Sequence, residues 1–152
     1  MKNTLLSLLL LFTGLSLSEA QTKPFLSLSD AQRITATATE KAVAEGWNVV
    51  IVILDDGGNM ISLQRMDGVQ VGSIEVAQAK AKSAVFFKRP TKVFEDAMKA
   101  EGGARIATLP NSVGVEGGLP IFKDGVIVGS IGVSGVTSAQ DGIIAAAGVA
   151  GY

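Results

Sequence analysis

The order of elements in the sequence predicts an α+β domain with a mainly antiparallel sheet and helices packed against it. Three observations carry this. Two pairs of short, β-branched apolar runs are joined by turn-type segments, Asp55-Asp56-Gly57-Gly58-Asn59 and Lys123-Asp124-Gly125. Stretches with apolar residues at helical spacing precede, separate and follow those pairs. The resulting series of helix, strand, strand, helix, helix, strand, strand, helix has hairpins where a doubly wound fold would need crossovers.

Each element has its own local reason. Ser29 and Gln32 stand at capping-box spacing, and Ala31, Ile34, Thr35, Ala38 and Ala42 then recur on one helical face until Gly46 offers a stop. Trp47 to Leu54 reads as a strand and Met60 to Gln64 as its partner. Ser73 is placed to cap a second helix whose Ile74, Ala77, Ala81, Ala84 and Val85 form one stripe, running to Lys88 and stopped by Pro90. Thr91 is placed to cap a short third helix through Lys99. Leu119 to Phe122 and Val126 to Val133 flank an Asp-Gly pair, the stronger hairpin signal of the two. Ser138 to Ala150 closes the series as an alanine-rich helix able to lie flat on a sheet. In the last strand Ile127, Gly129, Ile131 and Val133 share one face, and Val126, Val128, Ser130, Gly132 and Ser134 the other. Such small residues predict close approach of the terminal helix, of a ligand or of a second subunit.

Composition narrows the chemistry. The chain has 152 residues, 13 Lys+Arg against 14 Asp+Glu, and neither Cys nor His. That length suits one domain, and the absence of basic excess argues against nucleic acid as a partner. Without Cys and His there are no disulfides, no thiolate metal sites, no Ser-His-Asp triad and no histidine-ligated haem, and no metal site is expected. Lys2, the apolar run from Leu5 to Leu17 and the small residues of Ser18-Glu19-Ala20 read as a signal peptide over residues 1–20. The expected mature domain is 21–152, periplasmic or secreted and without a membrane span.

From Lys80 to Arg105 seven cations stand against three acids in an otherwise acidic chain. Such a segment suits carboxylates: haem propionates, a small hydroxy or keto acid, or an acidic partner surface. Arg65, at a strand end, suits bidentate carboxylate binding, and Lys80 follows on the next helix. The pair is expected to converge across one pocket mouth. Gly117-Gly118, near Asn111 and Ser112, reads either as an anion-binding nest or as a tight turn. Gly57-Gly58-Asn59 lacks the Lys-Ser/Thr of a phosphate loop, so ATP and GTP are not implied.

Taken in order, Asp55-Asp56-Gly57-Gly58 before Arg65-Met66-Asp67-Gly68, Ala79-Lys80-Ala81, Gly117-Gly118-Leu119-Pro120-Ile121, and Gly129-Ser130-Ile131-Gly132-Val133-Ser134-Gly135 before Asp141 resemble the GlcG/HbpS family. The resemblance spans roughly residues 26 to 152 and extends to the C-terminal domain of PduO-type proteins. It implies a profilin-like sheet, a homo-oligomer and, for exported members, binding of haem or a related tetrapyrrole, sometimes beside a sensor kinase. Other members are encoded with glycolate or corrinoid metabolism. With no His here, haem would have to rely on Met, Lys, Tyr, a hydroxyl or water, or be held without an axial bond, and Met66 is the best thioether candidate. The candidate ligand-binding set is Arg65, Met66, Asp67, Lys80, Gly117, Gly118 and Ser134, facing a small anionic ligand. Two alternatives stand beside the binder. One is an enzyme acting on a small carboxylic acid, with Lys80 or Asp67 moving a proton and Arg65 clamping the carboxylate. The other is a ligand-free partner of a sensor or transport system.

Overall fold

Val50, Val52 and Leu54 point to one side of a strand and Ile51 and Ile53 to the other, and all five are buried. A strand with two apolar faces must be covered on both, which places it inside a sheet between two helical layers. A computed structural model describes residues 22–152 and shows this arrangement; the expected signal peptide lies outside the described residues. In chain order the elements are α1 (Leu28–Glu45), β1 (Val50–Asp55), β2 (Met60–Arg65), α2 (Ser73–Phe87), α3 (Lys92–Lys99), a 3-10 turn over Gly103–Thr108, β3 (Gly118–Lys123), β4 (Val126–Ser134) and α4 (Ser138–Ala150). The four strands form one sheet of order β2-β1-β4-β3, antiparallel at every pairing. The fold is the α+β class expected.

Each face of β1 feeds a different core. Ile51 and Ile53 join Ala31, Ile34 and Ala38 of α1 and Ile144 and Ala145 of α4. Val50, Val52 and Leu54 join Val69 and Ala77 and Ala81 of α2. Each such Val, Leu or Ile contributes roughly 1.5–3 kcal/mol on leaving water.

The helix ends show where local signals were shifted. α1 is capped by Ser27, not Ser29: Ser27 Oγ accepts from the Asp30 N–H at 3.1 Å while the Asp30 carboxylate accepts from the Ser27 N–H at 3.2 Å. Asp30 closes the reciprocal pair two residues earlier than Gln32 would. Gly46 ends the helix in the left-handed region at φ 70°. Ser73 is the first residue of α2 rather than its cap, and Thr91, although at the N-cap position of α3, makes no side-chain cap hydrogen bond. Both are buried, and their hydroxyls accept from Ser134 Oγ at 3.2 Å and from the Gly118 N–H at 2.9 Å. α4 does carry a reciprocal cap, between Thr137 and Gln140. Asp124 (φ 50°) and Gly125 (φ 77°) give the β3–β4 hairpin two left-handed residues, the turn an Asp-Gly pair favours.

One expectation is corrected. The small-residue face of β4 is covered by α2, not by the terminal helix: Ser130 Oγ donates to the Ala81 carbonyl at 2.8 Å, and a Cβ on Gly132 would fall 2.0 Å from the Ala77 carbonyl oxygen. α4 approaches the opposite face through Gly148, where a Cβ would meet Ile131 Cδ1 at 2.9 Å. No helix among the described residues is long and apolar enough to cross a membrane.

Candidate functional site

The residues singled out from the sequence collect at one end of the sheet, where β2 and β4 finish and β3 begins. They do not form one pocket. Lys80 is buried, and its Nζ donates to Asp141 Oδ2 at 2.7 Å and to the Val133 carbonyl at 3.0 Å. The Val133 N–H is taken by the Gly117 carbonyl, so the ammonium sits on the β3 side of β4. Arg65 is exposed on the far side of β1, in the row Arg65, Val50, Ser134, about 10 Å of sheet from Ser134 alone. The expected convergence of Arg65 and Lys80 therefore does not occur. A buried ammonium needs a partner within the fold, and Asp141 of α4 supplies it. Burial pushes the Asp141 carboxyl above its ordinary range, and the Lys80 ammonium pulls it back down.

Gly117 and Gly118 belong to that pair and not to an open nest. The Gly118 N–H is bound to Thr91 Oγ1, and Ser112 Oγ donates locally to the Ile106 carbonyl. Gly117 adopts φ 124°, and a Cβ there would lie 2.9 Å from Lys80 Nζ and 2.7 Å from the Val133 oxygen. A Cβ on Gly118 would lie 2.3 Å from the Lys80 carbonyl oxygen. Both glycines let β3 start against α2. Met66 packs, half-buried, against the core on the α1 and α4 side. Asp67 is exposed in the turn after β2, and Ser134 is buried against Ser73.

A cleft opens at the other end of the sheet. Its volume is about 660 Å³, and it is lined by Lys23, Asp56, Val85, Lys88, Phe122, Gly125, Val126 and Ile127. Three chain reversals meet there: the β1–β2 turn, the β3–β4 hairpin and the end of α2. Phe122 and Val126 are 49% and 41% exposed, an apolar wall left uncovered. Lys88 ends α2 in the left-handed conformation (φ 54°) and forms no ion pair among the described residues. The β1–β2 turn is fixed by the Asp55 carboxylate, which accepts from the N–H groups of Gly57 at 2.9 Å and Asn59 at 2.8 Å. That turn presents Asp56, which pairs with Lys23 of the segment before α1. Sequence reasoning left Lys23, Asp56 and Phe122 out of the candidate set and counted Lys88 only as one of the seven cations between Lys80 and Arg105. The available signal was the lysine two residues before Pro90 and the apolar residues flanking the Asp-Gly turn.

This cleft joins an apolar wall to ammonium groups at its edge and so suits a flat or bulky apolar molecule that carries carboxylates. Fold and site define a small α+β domain with a profilin-like antiparallel sheet and an open cleft at its hairpin end. Comparison with known proteins gives its lineage. The chain belongs to the HbpS-like family, described as "Haem degrading protein HbpS-like", which matches residues 26–150. It is 39% identical over 114 residues to Protein GlcG of Escherichia coli K12, covering 75% of this chain and 84% of GlcG. Among solved structures it is similar to a PduOC:haem complex (TM-score 0.78, 30% identity, 85% of this chain and 96% of that one). It is equally similar to a double mutant of HbpS from Streptomyces reticuli (TM-score 0.78, 28% identity, 88% and 90% covered). The GlcG/HbpS resemblance is thus established.

Proposed function

We propose that the protein is an exported binder of haem or a related tetrapyrrole, which it holds in the hairpin-end cleft. The observation that carries this is the apolar wall of Val85, Phe122, Val126 and Ile127 beside Lys88, which forms no ion pair among the described residues. The family's description and a similar protein crystallised with haem support the ligand class.

The residues present fit the group in part. Apolar side chains suit the macrocycle, and Lys88 and Lys23 suit its two propionates. The lining contains no imidazole, thiol, thioether or phenol, Met66 lies at the opposite end of the sheet, and the two lysine amines are assigned to the propionates, so this reading draws its affinity from apolar contact and charge. Bound haem would supply a redox-active iron; the chain's own part is to shield one edge of the ring and to orient it by its carboxylates. Export rests on the signal-peptide pattern of residues 1–20, and self-association on the exposed Met60 and Leu63 of edge strand β2. A sensor kinase or other partner is not needed for this reading. The enzymatic alternative loses its Lys80 route, because that ammonium is spent on Asp141.

A Soret titration of residues 21–152 tests the reading. Lys88→Glu is expected to weaken haem binding about tenfold, or about 1.4 kcal/mol, since one charge-assisted contact is lost and a repulsion added. Arg65→Glu, at the far end, is expected to leave it unchanged. Equal losses in both variants, or no Soret shift in the parent, would overturn the proposal.

A further inference from the structure

Asp56 and Lys23 both line the cleft and are paired with each other across it. This contact joins the segment before α1 to the β1–β2 turn. The Asp55 carboxylate fixes the backbone of the turn that presents Asp56, while the Asp56 side chain itself stays exposed and displaceable. Its carboxylate occupies the place at Lys23 that an anionic ligand would take. The cleft therefore holds two cations in different states: Lys88, without an acidic partner among the described residues, and Lys23, already satisfied.

We infer that Asp56 is a specificity-determining residue, an internal stand-in for the second carboxylate of a dianionic apolar ligand. The inference rests on the ligand class proposed above. The first carboxylate of such a ligand meets Lys88. The second gains Lys23 only by displacing Asp56, and it then lies beside the displaced negative charge. A neutral analogue has no group to exchange and is indifferent to Asp56. Both members of the pair are partly exposed, with side-chain exposures of 68% for Lys23 and 34% for Asp56, so the exchange is screened by solvent and modest in size. Breaking the internal pair is thus expected to tighten binding by about twofold to fivefold, the range of an exposed ion pair.

The test uses protoporphyrin IX, which carries two carboxylates and no iron, and its dimethyl ester, which carries none. Each is titrated by fluorescence into residues 21–152, with circular dichroism confirming the fold of every variant. Asp56→Asn should tighten protoporphyrin IX twofold to fivefold and leave the ester unchanged. Lys23→Met should weaken protoporphyrin IX, and in that background Asp56→Asn should no longer tighten it. No tightening by Asp56→Asn, or equal tightening with and without Lys23, would overturn the inference while leaving haem binding intact. If the parent binds neither haem nor protoporphyrin IX, both this inference and the proposed function fail. If haem binds and Lys88→Glu weakens it but Asp56→Asn has no effect, only this inference fails.

Discussion

The two ends of the sheet use the same side-chain chemistry to opposite effect. Where β3 starts, Lys80 faces Asp141 with side-chain exposures of 1% and 3%, and the pair ties α2 to α4 past the edge of β4. At the hairpin end, Lys88 and Lys23 stand in an open cleft beside exposed Phe122 and Val126. The difference follows from desolvation. An ammonium taken out of water needs a carboxylate held against it permanently, so it becomes part of the structure. An ammonium that keeps its water costs little to leave unpaired and remains free to meet a ligand. Burial thus decides whether a lysine of this molecule requires a fixed partner.

Removing one partner of the buried pair should have the largest effect. Lys80→Met leaves the Asp141 carboxylate buried without its cation, and urea unfolding at pH 7 should show a loss of about 3–5 kcal/mol. Replacing both partners with apolar residues should recover much of that loss, because no uncompensated charge then remains. Lys88→Glu, at the other end, should change stability by no more than about 0.5 kcal/mol. A Lys80→Met cost below about 1 kcal/mol would break the comparison, since the ammonium would then be dispensable to the fold.

A smaller contrast comes from one substitution made at both ends. Gly117→Ala forces a Cβ against Lys80 Nζ, the Val133 oxygen and Asp141 Cβ at a φ of 124°. Gly125→Ala, at φ 77°, meets nothing within 4 Å. Calorimetric melts should show about 3 kcal/mol lost at Gly117 and about 1 kcal/mol at Gly125, where backbone strain acts alone. Equal losses would mean that Gly117 serves its backbone angle and not the close packing around Lys80.

Much of the fold was legible because its signals are local. The buried positions of α1, Ala31, Ile34, Thr35, Ala38 and Ala42, are those the helical spacing marked, the Asp124-Gly125 hairpin falls where turn chemistry put it, and α4 covers the alanine-rich run from Ser138 to Ala150. Ser73 and Thr91 were misread because a hydroxyl before a helix has the same local appearance whether it caps or is buried. Only the tertiary partner of Ser73 decides, and that is Ser134, 61 positions away. The site was less legible for the same reason. Lys80 stands out in an alanine-rich helix, but its consuming partner Asp141 is also 61 residues on, and no spacing reveals it. The cleft is assembled from three chain reversals that sequence order scatters between Lys23 and Ile127. Two of those reversals were read as turns, but their meeting is a property of the sheet order β2-β1-β4-β3.

The smallest expected effect concerns how the β3-start end is held from outside. The Lys99 ammonium, at 2.8 Å, and the Glu116 N–H, at 2.7 Å, hold the Glu95 carboxyl down at about 2, from an ordinary 4.5. A carboxyl lowered on folding contributes stability that is present above pH 4.5 and is lost as pH falls toward about 2. Asp141 has the opposite sign: raised by burial, it favours the folded state below pH 3.8 and loses that contribution as pH rises through its folded value. The two overlap in a simple acid titration, so the measurement has to be a difference between parent and Glu95→Gln, which cancels Asp141. That difference should be about 1 kcal/mol at pH 7, discounted because the Lys99 partner is solvent-exposed, and should shrink toward zero by about pH 2. A difference that stays constant from pH 7 to pH 2 would show that Glu95 acts by packing and not by charge.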